Sequence, residues 1–210
     1  MILIGMYDSP FVRRVAIAMR LYGMDYEHRP WSTFGDADRI ADYSPLLRVP
    51  VLVLDDGEVL IESAAILDWL DEQAGDERAL IAANGAARRR ALKVCALATG
   101  LADKAVSLIY ERAIHGRDTE VWQTRCRRQI RGALDSLEAV RAATPGTWLF
   151  GGDIGHADIA IACALRLLGE AHPGAFDMAA WPALARHAAA CEALPVFQAV
   201  VQPFFSPGDR

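Results

Sequence analysis

The segment ILIGMYDSPFVRRV, residues 2–15, joins a short apolar run to the start of a helix. Residues 2–6 are apolar and long enough for a buried strand. Pro10 suits a first helical turn, where a backbone N–H would lack a partner, and apolar residues recur at helical spacing until Gly23 favours an end. The segment therefore predicts a strand followed by a helix, with free backbone amides at the corner between them.

The same alternation of strand and helix signals continues up to residue 74. The predicted elements are a weak strand at 26–30, a short helix at 36–43, strands at 49–54 and 58–61, and a helix at 63–74. Asp55-Asp56-Gly57 separates the last two strands as a hairpin turn. Because a β-α-β start implies parallel pairing and a hairpin implies antiparallel pairing, the predicted sheet is mixed.

Beyond a break at 76–85, the sequence has almost no strand signal. Apolar residues at steps of three or four predict helices at 86–115, 119–143, 156–169, 181–193 and 196–201. The third of these is apolar nearly all round, which indicates a buried central helix. We therefore expect a mixed α/β domain at 1–76, a linker at 77–85 and an all-helical domain at 86–210.

Composition and charge limit the classes of partner. Apolar residues form 53 % of the 210-residue chain and charged residues 23 %, which is typical of a globular protein. A net charge of −5 gives no attraction toward nucleic acid or anionic lipid. The four cysteines form no Cys-x-x-Cys pair, so we expect buried free thiols and no metal site. The first residues lack the features of a signal peptide, and we expect a cytoplasmic location.

Ser9 lies at the corner between the first predicted strand and the first predicted helix. The free amides and the helix dipole favour an anion there, and a serine hydroxyl would donate a hydrogen bond to it. If the anion is a thiolate, that bond lowers its pKa because it stabilises the charged form. A plain helix cap explains the same serine without catalysis, so this segment alone leaves both interpretations open.

Two further motifs follow, Val49-Pro50 and Glu62-Ser63. A cis bond before Pro50 would turn the Val49 amide and carbonyl outward to pair with a peptide ligand; the alternative is an ordinary trans proline opening a strand. At the next helix start, Ser63 could hold a carboxylate and Glu62 an ammonium group. That pair suits the α-amino-acid end of a γ-glutamyl group, and a simple helix cap is again the alternative.

The order and spacing of these motifs resemble the glutathione transferase superfamily over nearly the whole chain. Ser9-Pro10-Phe11 with Arg14 resembles its serine-type branch, of a bacterial kind. The stretch from Gly151 to Ala160 is similar to the family's helical domain, except that Gly155 stands where the family usually has Ser or Thr. The resemblance implies an α/β thioredoxin-like N-terminal domain followed by an all-α C-terminal domain.

By this resemblance, Ser9 would activate the thiol of glutathione, with Tyr7 as a rival hydroxyl donor. Val49, placed by Pro50, would pair with the cysteinyl backbone of glutathione. Glu62 and Ser63 would hold its γ-glutamyl end, and Arg48 would lie near its glycyl carboxylate. Phe11 and Tyr110 would line a second-substrate pocket between the domains.

The function implied is that of a glutathione S-transferase, a homodimeric detoxification enzyme that uses glutathione as co-substrate and needs no metal. Its partner would be a small electrophile that the sequence does not identify. Two alternatives keep the same fold. One is a catalytically silent glutathione-binding or scaffold protein, and the other is a glutathione-dependent isomerase or peroxidase.

Overall fold

The computed structural model describes residues 1–116 and 119–207, and its first half is built on one four-stranded sheet. The strands are β1 (Ile2–Ile4), β2 (Glu27–Arg29), β3 (Val51–Val53) and β4 (Val59–Ile61), arranged in the order β2-β1-β3-β4. β1 pairs parallel with β2 and antiparallel with β3, and β3 pairs antiparallel with β4. The predicted mixed sheet is thus confirmed. Each strand is shorter than predicted, and β1 stops because Gly5 takes a φ of 127°, outside strand geometry.

Three helices accompany the sheet: α1 (Pro10–Leu21), α2 (Ala37–Ala41) and α3 (Ser63–Ala74). α1 packs against α3, and the apolar side chains between them and the sheet are almost fully buried. The sequence-based choice of Ser63 as the cap of α3 is wrong by one residue. Glu62 occupies the N-cap with φ 66° and ψ 122°, so helical geometry begins only at Ser63.

The second half is helical throughout its described part. Its elements are α4 (Gly85–Ala113), α5 (Glu120–Ala142), α6 (His156–Ala171), a 3₁₀ turn (Met178–Ala180), α7 (Pro182–Glu192) and α8 (Pro195–Gln198). The short turn at Met178 was not predicted. α6 packs against α1, α4 and α7, and most of its residues are buried, which confirms the predicted central helix.

The core is continuous between the two halves, because α1 lies directly against α6. Leu3, Val12 and Ile66 belong to the same buried cluster as Ile159 and Phe197. Buried apolar contact of this kind fixes the relative position of the sheet and the helices. The division at residues 76 and 86 therefore stays a prediction.

The segment between α3 and α4 is tied to both halves. Asp71 of α3 accepts hydrogen bonds from the Tyr22 hydroxyl, from the Leu80 amide at 3.3 Å and from His156 Nε2 at 2.9 Å. The Leu80 carbonyl in turn accepts from the His156 amide at 3.0 Å, at the start of α6. Burial and the hydrogen bond to Asp71 raise the pKa of Tyr22. This network fixes the start of α6 against the end of α3.

The four cysteines are buried and free, as predicted. Burial raises the pKa of Cys95 to about 11 and that of Cys163 to about 12, so these thiols stay protonated and shielded. Within residues 1–116 and 119–207, no helix is long and apolar enough to cross a membrane. In the same part of the chain, no group of three or more His, Cys, Asp or Glu side chains is placed to hold a metal ion.

Candidate functional site

A cleft of about 670 Å³ lies where the β1–α1 corner faces α4. Five of the eight predicted site residues line it: Ser9, Phe11, Arg48, Val49 and Tyr110. Pro50, Glu62 and Ser63 lie outside the lining. Glu62 is joined to it by an ion pair with Arg48, and Ser63 accepts a hydrogen bond from Arg14 behind it. The cleft thus brings the two halves together, and each half contributes both polar and apolar side chains, as is common for ligand sites.

Ser9 is the N-cap residue of α1 and opens into this cleft. Its Oγ accepts a long hydrogen bond of 3.4 Å from the Val12 amide. A hydroxyl that accepts a bond still has its own proton to donate, so Ser9 can cap the helix and donate to an anion at the same time. The helix N-terminus adds partial positive charge at the same point. Both interpretations of Ser9 from the sequence are therefore compatible with its geometry.

Tyr7 faces away from the cleft. Its hydroxyl lies 2.9 Å from the Tyr26 hydroxyl, and its ring stacks on His28 with centroids 3.9 Å apart. Burial, followed by the hydrogen bond with Tyr26, raises the pKa of Tyr7. A tyrosine held in this way does not point its hydroxyl at a ligand beside Ser9, so the geometry favours Ser9 over Tyr7.

The bond between Val49 and Pro50 is cis, and Val49 lies beside the corner that carries Ser9. Within the described residues, no backbone hydrogen bond of Val49 is formed. The approach of this loop depends on Gly5: a Cβ at Gly5 would lie 2.5 Å from Val12 Cγ2 and 2.8 Å from Val49 Cβ. Only glycine lets α1 and the Val49 loop come so close. Gly5 is therefore needed for the geometry of the site. Its position between the first strand and Ser9 was the only feature of the sequence that could have indicated this need.

Glu62 and Ser63 form a second polar corner at the start of α3. Glu62 has a positive φ of 66°, a conformation that costs free energy for a residue with a side chain and is concentrated at functional sites. Its Oε1 lies 3.2 Å from Arg48 Nη1, at the edge of the cleft. Both side chains of this ion pair are about half exposed, so the pair stays accessible to a ligand.

Arg14 lies behind this corner, on α1. It is only 6 % exposed, and its Nη2 donates to Ser63 Oγ at 2.8 Å. Among the residues that the structure describes, its Nε has no hydrogen-bond partner. Burial lowers the pKa of Arg14, and the neighbouring Glu62 acts in the opposite direction. An incompletely satisfied guanidinium is costly to bury, and here it adds positive charge directly beneath Ser63. The sequence motif included Arg14 without indicating that it is buried.

α4 contributes one wall of the cleft. Tyr110, a predicted pocket residue, lies in this wall together with Val106 and Ile109. Ile109 also belongs to the buried helical core, so α4 faces both the cleft and the core. Phe34 meets Tyr110 edge to face, with ring centroids 5.4 Å apart.

The end of the chain supplies a wall that was not predicted. Phe204, Phe205, Ser206 and Pro207 line the cleft. The Phe205 amide donates to Asp8 Oδ2 at 3.3 Å, next to Ser9 in the sequence. Sequence reasoning missed this segment because it carries no motif, and its position depends on contacts across nearly the full length of the chain.

Two family profiles together match most of the chain, and curated relatives match it over similar lengths. The profile of the glutathione S-transferase N-terminal domain matches residues 3–78, and that of the C-terminal domain matches residues 120–190. The uncharacterised GST-like protein YibF of Escherichia coli is 32 % identical over 167 residues, which are 79 % of this chain and 81 % of YibF. A maleylacetoacetate isomerase of Pseudomonas aeruginosa is 38 % identical over 96 residues, 43 % of this chain and 45 % of that protein.

Solved structures agree with these relatives. A glutathione S-transferase from Methylobacterium radiotolerans, in complex with glutathione sulfonate, has a TM-score of 0.88 at 28 % identity, with 97 % of this chain and 95 % of that chain covered. A bacterial maleyl pyruvate isomerase described as a zeta-class glutathione S-transferase has a TM-score of 0.82 at 26 % identity, with 100 % and 98 % covered. On the two profiles and the likeness to YibF, this chain belongs to the glutathione S-transferase family.

Proposed function

We propose that the protein is a glutathione S-transferase of the serine type, which binds glutathione in the cleft beside α1 and transfers it to a small electrophile. The observation that carries the proposal is the Ser9 hydroxyl at the N-terminus of α1, opening into a cleft shared by both halves. A thiolate placed there would receive the Ser9 hydrogen bond and the field of the helix N-terminus. Both stabilise the anion and lower the thiol pKa.

The rest of glutathione would follow the two polar corners. The Val49 amide and carbonyl would pair with the cysteinyl backbone as one step of an added strand. Ser63, with Arg14 beneath it, would receive the γ-glutamyl carboxylate, and Glu62 would receive the ammonium group. Arg48 would hold the glycyl carboxylate while remaining close to Glu62.

The reaction needs only groups of this chain and the two substrates. The thiol proton leaves to solvent, and the thiolate forms a carbon–sulfur bond with the electrophilic carbon. The bond to the leaving group breaks, and the leaving group departs with its electron pair. Ser9 lowers the free energy of the charged sulfur and fixes its position, which is a form of electrostatic preorganisation.

A titration of glutathione in the presence of the protein tests the proposal directly. The ultraviolet absorbance of the thiolate is followed against pH, with S-methylglutathione as the control that cannot ionise. We expect a saturable thiolate signal below the pH at which free glutathione ionises. Binding by calorimetry without that signal would favour the silent binding or scaffold alternative, and an absence of binding would refute the proposal.

A second candidate is glutathione-dependent isomerisation. The likeness to the maleylacetoacetate isomerase of Pseudomonas aeruginosa and to the maleyl pyruvate isomerase structure supports it, and the same activated thiolate would serve. The two reactions differ in the fate of glutathione, because an isomerase regenerates it and a transferase consumes it. Measuring free thiol during turnover of maleylacetoacetate and of an aryl halide therefore separates them. Stoichiometric loss of thiol supports the transferase.

We also propose that the protein is a homodimer. Sedimentation velocity, which measures the mass of the species in solution, tests this. A single species at the mass of one chain, 22.9 kDa, at micromolar concentration would contradict it.

A further inference from the structure

A second cavity, of about 660 Å³, lies in the helical half between the end of α4 and the start of α5. We call it the α4–α5 cavity. Its described lining consists of Ser107, Tyr110, Glu111, His115, Thr119 and Trp122. No described residue of the first half, and none of residues 202–207, belongs to this lining. Ser107 and Tyr110 also line the cleft, so the two cavities adjoin along one side of α4.

Glu111 is a buried acidic residue in the wall of the α4–α5 cavity. It is 5 % exposed, and its Oε1 accepts a hydrogen bond of 2.9 Å from the Thr119 amide. Its Oε2 is shut off from water and has no hydrogen-bond partner among residues 1–116 and 119–207. A buried polar atom without a partner costs free energy, and the cost is higher for a charged group. A ligand that brings an N–H donor into the cavity would remove this cost.

The described basic residues around Glu111 in the sequence make their contacts elsewhere. Arg112 donates from Nη2 to a backbone carbonyl at the end of α6, at 3.3 Å. Lys104 forms an ion pair with Asp103 at 2.9 Å, and neither residue lines the α4–α5 cavity. His115 does line it and is exposed. Neither Arg112 nor Lys104 thus supplies the donor that Glu111 lacks.

Two aromatic side chains share the lining with Glu111. Tyr110 and Trp122 are each 38 % exposed. The face of an aromatic ring attracts a cation within about 6 Å of its centroid. The Lys104 ammonium already lies 5.8 Å from the Trp122 centroid, which shows that this ring attracts a cation in the folded chain. Because aromatic faces and a carboxylate favour the same sign of charge, the lining favours a positively charged ligand with an apolar body.

We propose that the α4–α5 cavity is a binding site for a small organic ammonium ion. The ammonium group would donate a hydrogen bond to Glu111 Oε2, and the apolar body would lie against the rings of Tyr110 and Trp122. Glu111 and Trp122 do not line the glutathione cleft, so they can be altered without touching it. The inference does not depend on the proposed transferase function.

Two probes of the same shape and different charge test this site. Benzylammonium carries the cation and the planar body, and benzyl alcohol is its neutral counterpart. Both are titrated into the protein at neutral pH, and binding is followed by the NMR signals of the ligand. We expect benzylammonium to bind at least about tenfold more tightly, because only the cation gains from both the carboxylate and the rings.

Variants then locate the site. Glu111→Gln keeps an oxygen that can accept from the Thr119 amide but removes the charge, so it should weaken benzylammonium binding about tenfold and leave benzyl alcohol unchanged. Trp122→Leu should weaken benzylammonium binding about threefold. Glu120→Gln is the matched control, since Glu120 is exposed at the start of α5 and does not line the cavity. It should behave as the wild type.

Equal affinity of the wild type for the two probes, or no saturable binding of benzylammonium, would overturn the inference without any variant. A folded Glu111→Gln, checked by circular dichroism, that kept the full preference for benzylammonium would do the same. Affinity for S-methylglutathione is measured in parallel and should be equal in Glu111→Gln and wild type. An equal loss of both ligands in Glu111→Gln would also overturn the inference. A wild type that binds benzylammonium but not S-methylglutathione would refute the glutathione site alone.

Discussion

The Ser9 hydroxyl caps α1 and is proposed to stabilise a thiolate, and the energies of these two effects can be measured separately. Loss of an N-cap costs about 1 kcal/mol, whereas loss of one hydrogen bond to an oxyanion in an active site costs about 10² to 10³ in kcat. We expect Ser9→Ala to lower the free energy of unfolding by about 1 kcal/mol and to lower kcat about 100-fold at mildly acidic pH, because the bound thiol ionises at higher pH. Urea unfolding and steady-state kinetics at saturating glutathione measure the two effects.

Ser9→Thr is the matched control, because it keeps a hydroxyl at the cap and should retain most of both quantities. If the thiol pKa of bound glutathione were the same in Ser9→Ala and wild type, Ser9 would be a cap only. The backbone amides at the start of α1 would then be the remaining source of activation.

Arg14 is a buried cation whose hydrogen-bonding capacity is only partly used within the described residues. Its one hydrogen bond to Ser63 leaves Nε unsatisfied, and replacing such a group by an apolar side chain of similar length is often neutral or stabilising. We expect Arg14→Met to keep or raise the free energy of unfolding and to weaken glutathione binding about tenfold, or about 1.4 kcal/mol. Calorimetry and urea unfolding give the two values.

Arg88→Met is the control for Arg14, since Arg88 pairs with Asp68 on the surface of α3 and does not line the cleft. Its glutathione affinity should equal that of the wild type. An unchanged affinity in Arg14→Met would reduce Arg14 to a structural residue and weaken the assignment of Ser63 to the γ-glutamyl carboxylate.

At the residue scale, the sequence was informative where chemistry is local. The positions of Ser9 and Glu62 at helix starts could be predicted because caps depend on a few consecutive residues. Tyr7 could not be judged from its neighbours, because its orientation depends on Tyr26 and on stacking against His28. The burial of Arg14 likewise depends on contacts with α3, which the local pattern does not reveal.

The start of α6 shows how an element can depart from a family pattern for a physical reason. Asp158 Oδ2 accepts from the Gly155 amide at 2.9 Å, and Oδ1 accepts from the Leu149 amide at 3.0 Å. A serine at Gly155 would add the missing hydroxyl of a capping box, a gain of about 1 kcal/mol on a free helix. However, a Cβ at Gly155 would lie 2.8 Å from the Leu80 carbonyl oxygen, which already accepts from His156.

We therefore expect Gly155→Ser to lower the free energy of unfolding, by about 1–2 kcal/mol, because overlap with a fixed backbone oxygen exceeds the capping gain. Thermal and urea unfolding measure it. Gly152→Ser is the control, since a Cβ there meets nothing within 4 Å and should change stability little. A more stable Gly155→Ser would show that the Leu80 segment moves easily.

At the element scale, helix ends were predicted to within a few residues, because proline, glycine and apolar spacing define them locally. Strand ends were predicted to within two residues, which is a large error for strands of three residues. β1 was expected to run to Met6 but stops at Ile4, since Gly5 must turn there to let Val12 and Val49 approach. That requirement comes from two other elements, and Gly5 is its only mark within the predicted strand.

At the scale of the whole molecule, the parts that sequence could not predict are those that join distant segments. The bond from the Tyr7 amide to Gln202 spans 195 residues, and the place of residues 204–207 in the cleft wall was not predicted. The contact of α1 with α6 could not be predicted from the sequence either, although each of the two helices was predicted separately. Apolar patterns show which face is buried but not which partner covers it.

The pH dependence of stability follows from two histidines that the folded chain partly or fully removes from water. Burial lowers the pKa of His172, as do the charges of Arg112 and Arg127, against the effect of its hydrogen bond with the Ala105 carbonyl. Burial also lowers the pKa of His28, against its hydrogen bond with Gly5. Since an unfolded histidine titrates near 6.5, the unfolded chain binds more protons below that pH. The stability from these neutral histidines is therefore present above about pH 6.5 and is lost as the pH falls toward their folded pKa values.

We expect the free energy of unfolding, measured with urea, to decrease as the pH is lowered through the histidine range, and to decrease less in His172→Gln. Glutamine keeps an N–H that can donate to the Ala105 carbonyl, now 3.0 Å from His172 Nε2, but it does not titrate. His115→Gln, at an exposed position near the end of α4, is the control for removing a histidine as such. If His172→Gln kept the full wild-type decrease, His172 would not be a source of the acid sensitivity, and the contact between the end of α6 and α4 would have to tolerate a protonated imidazole.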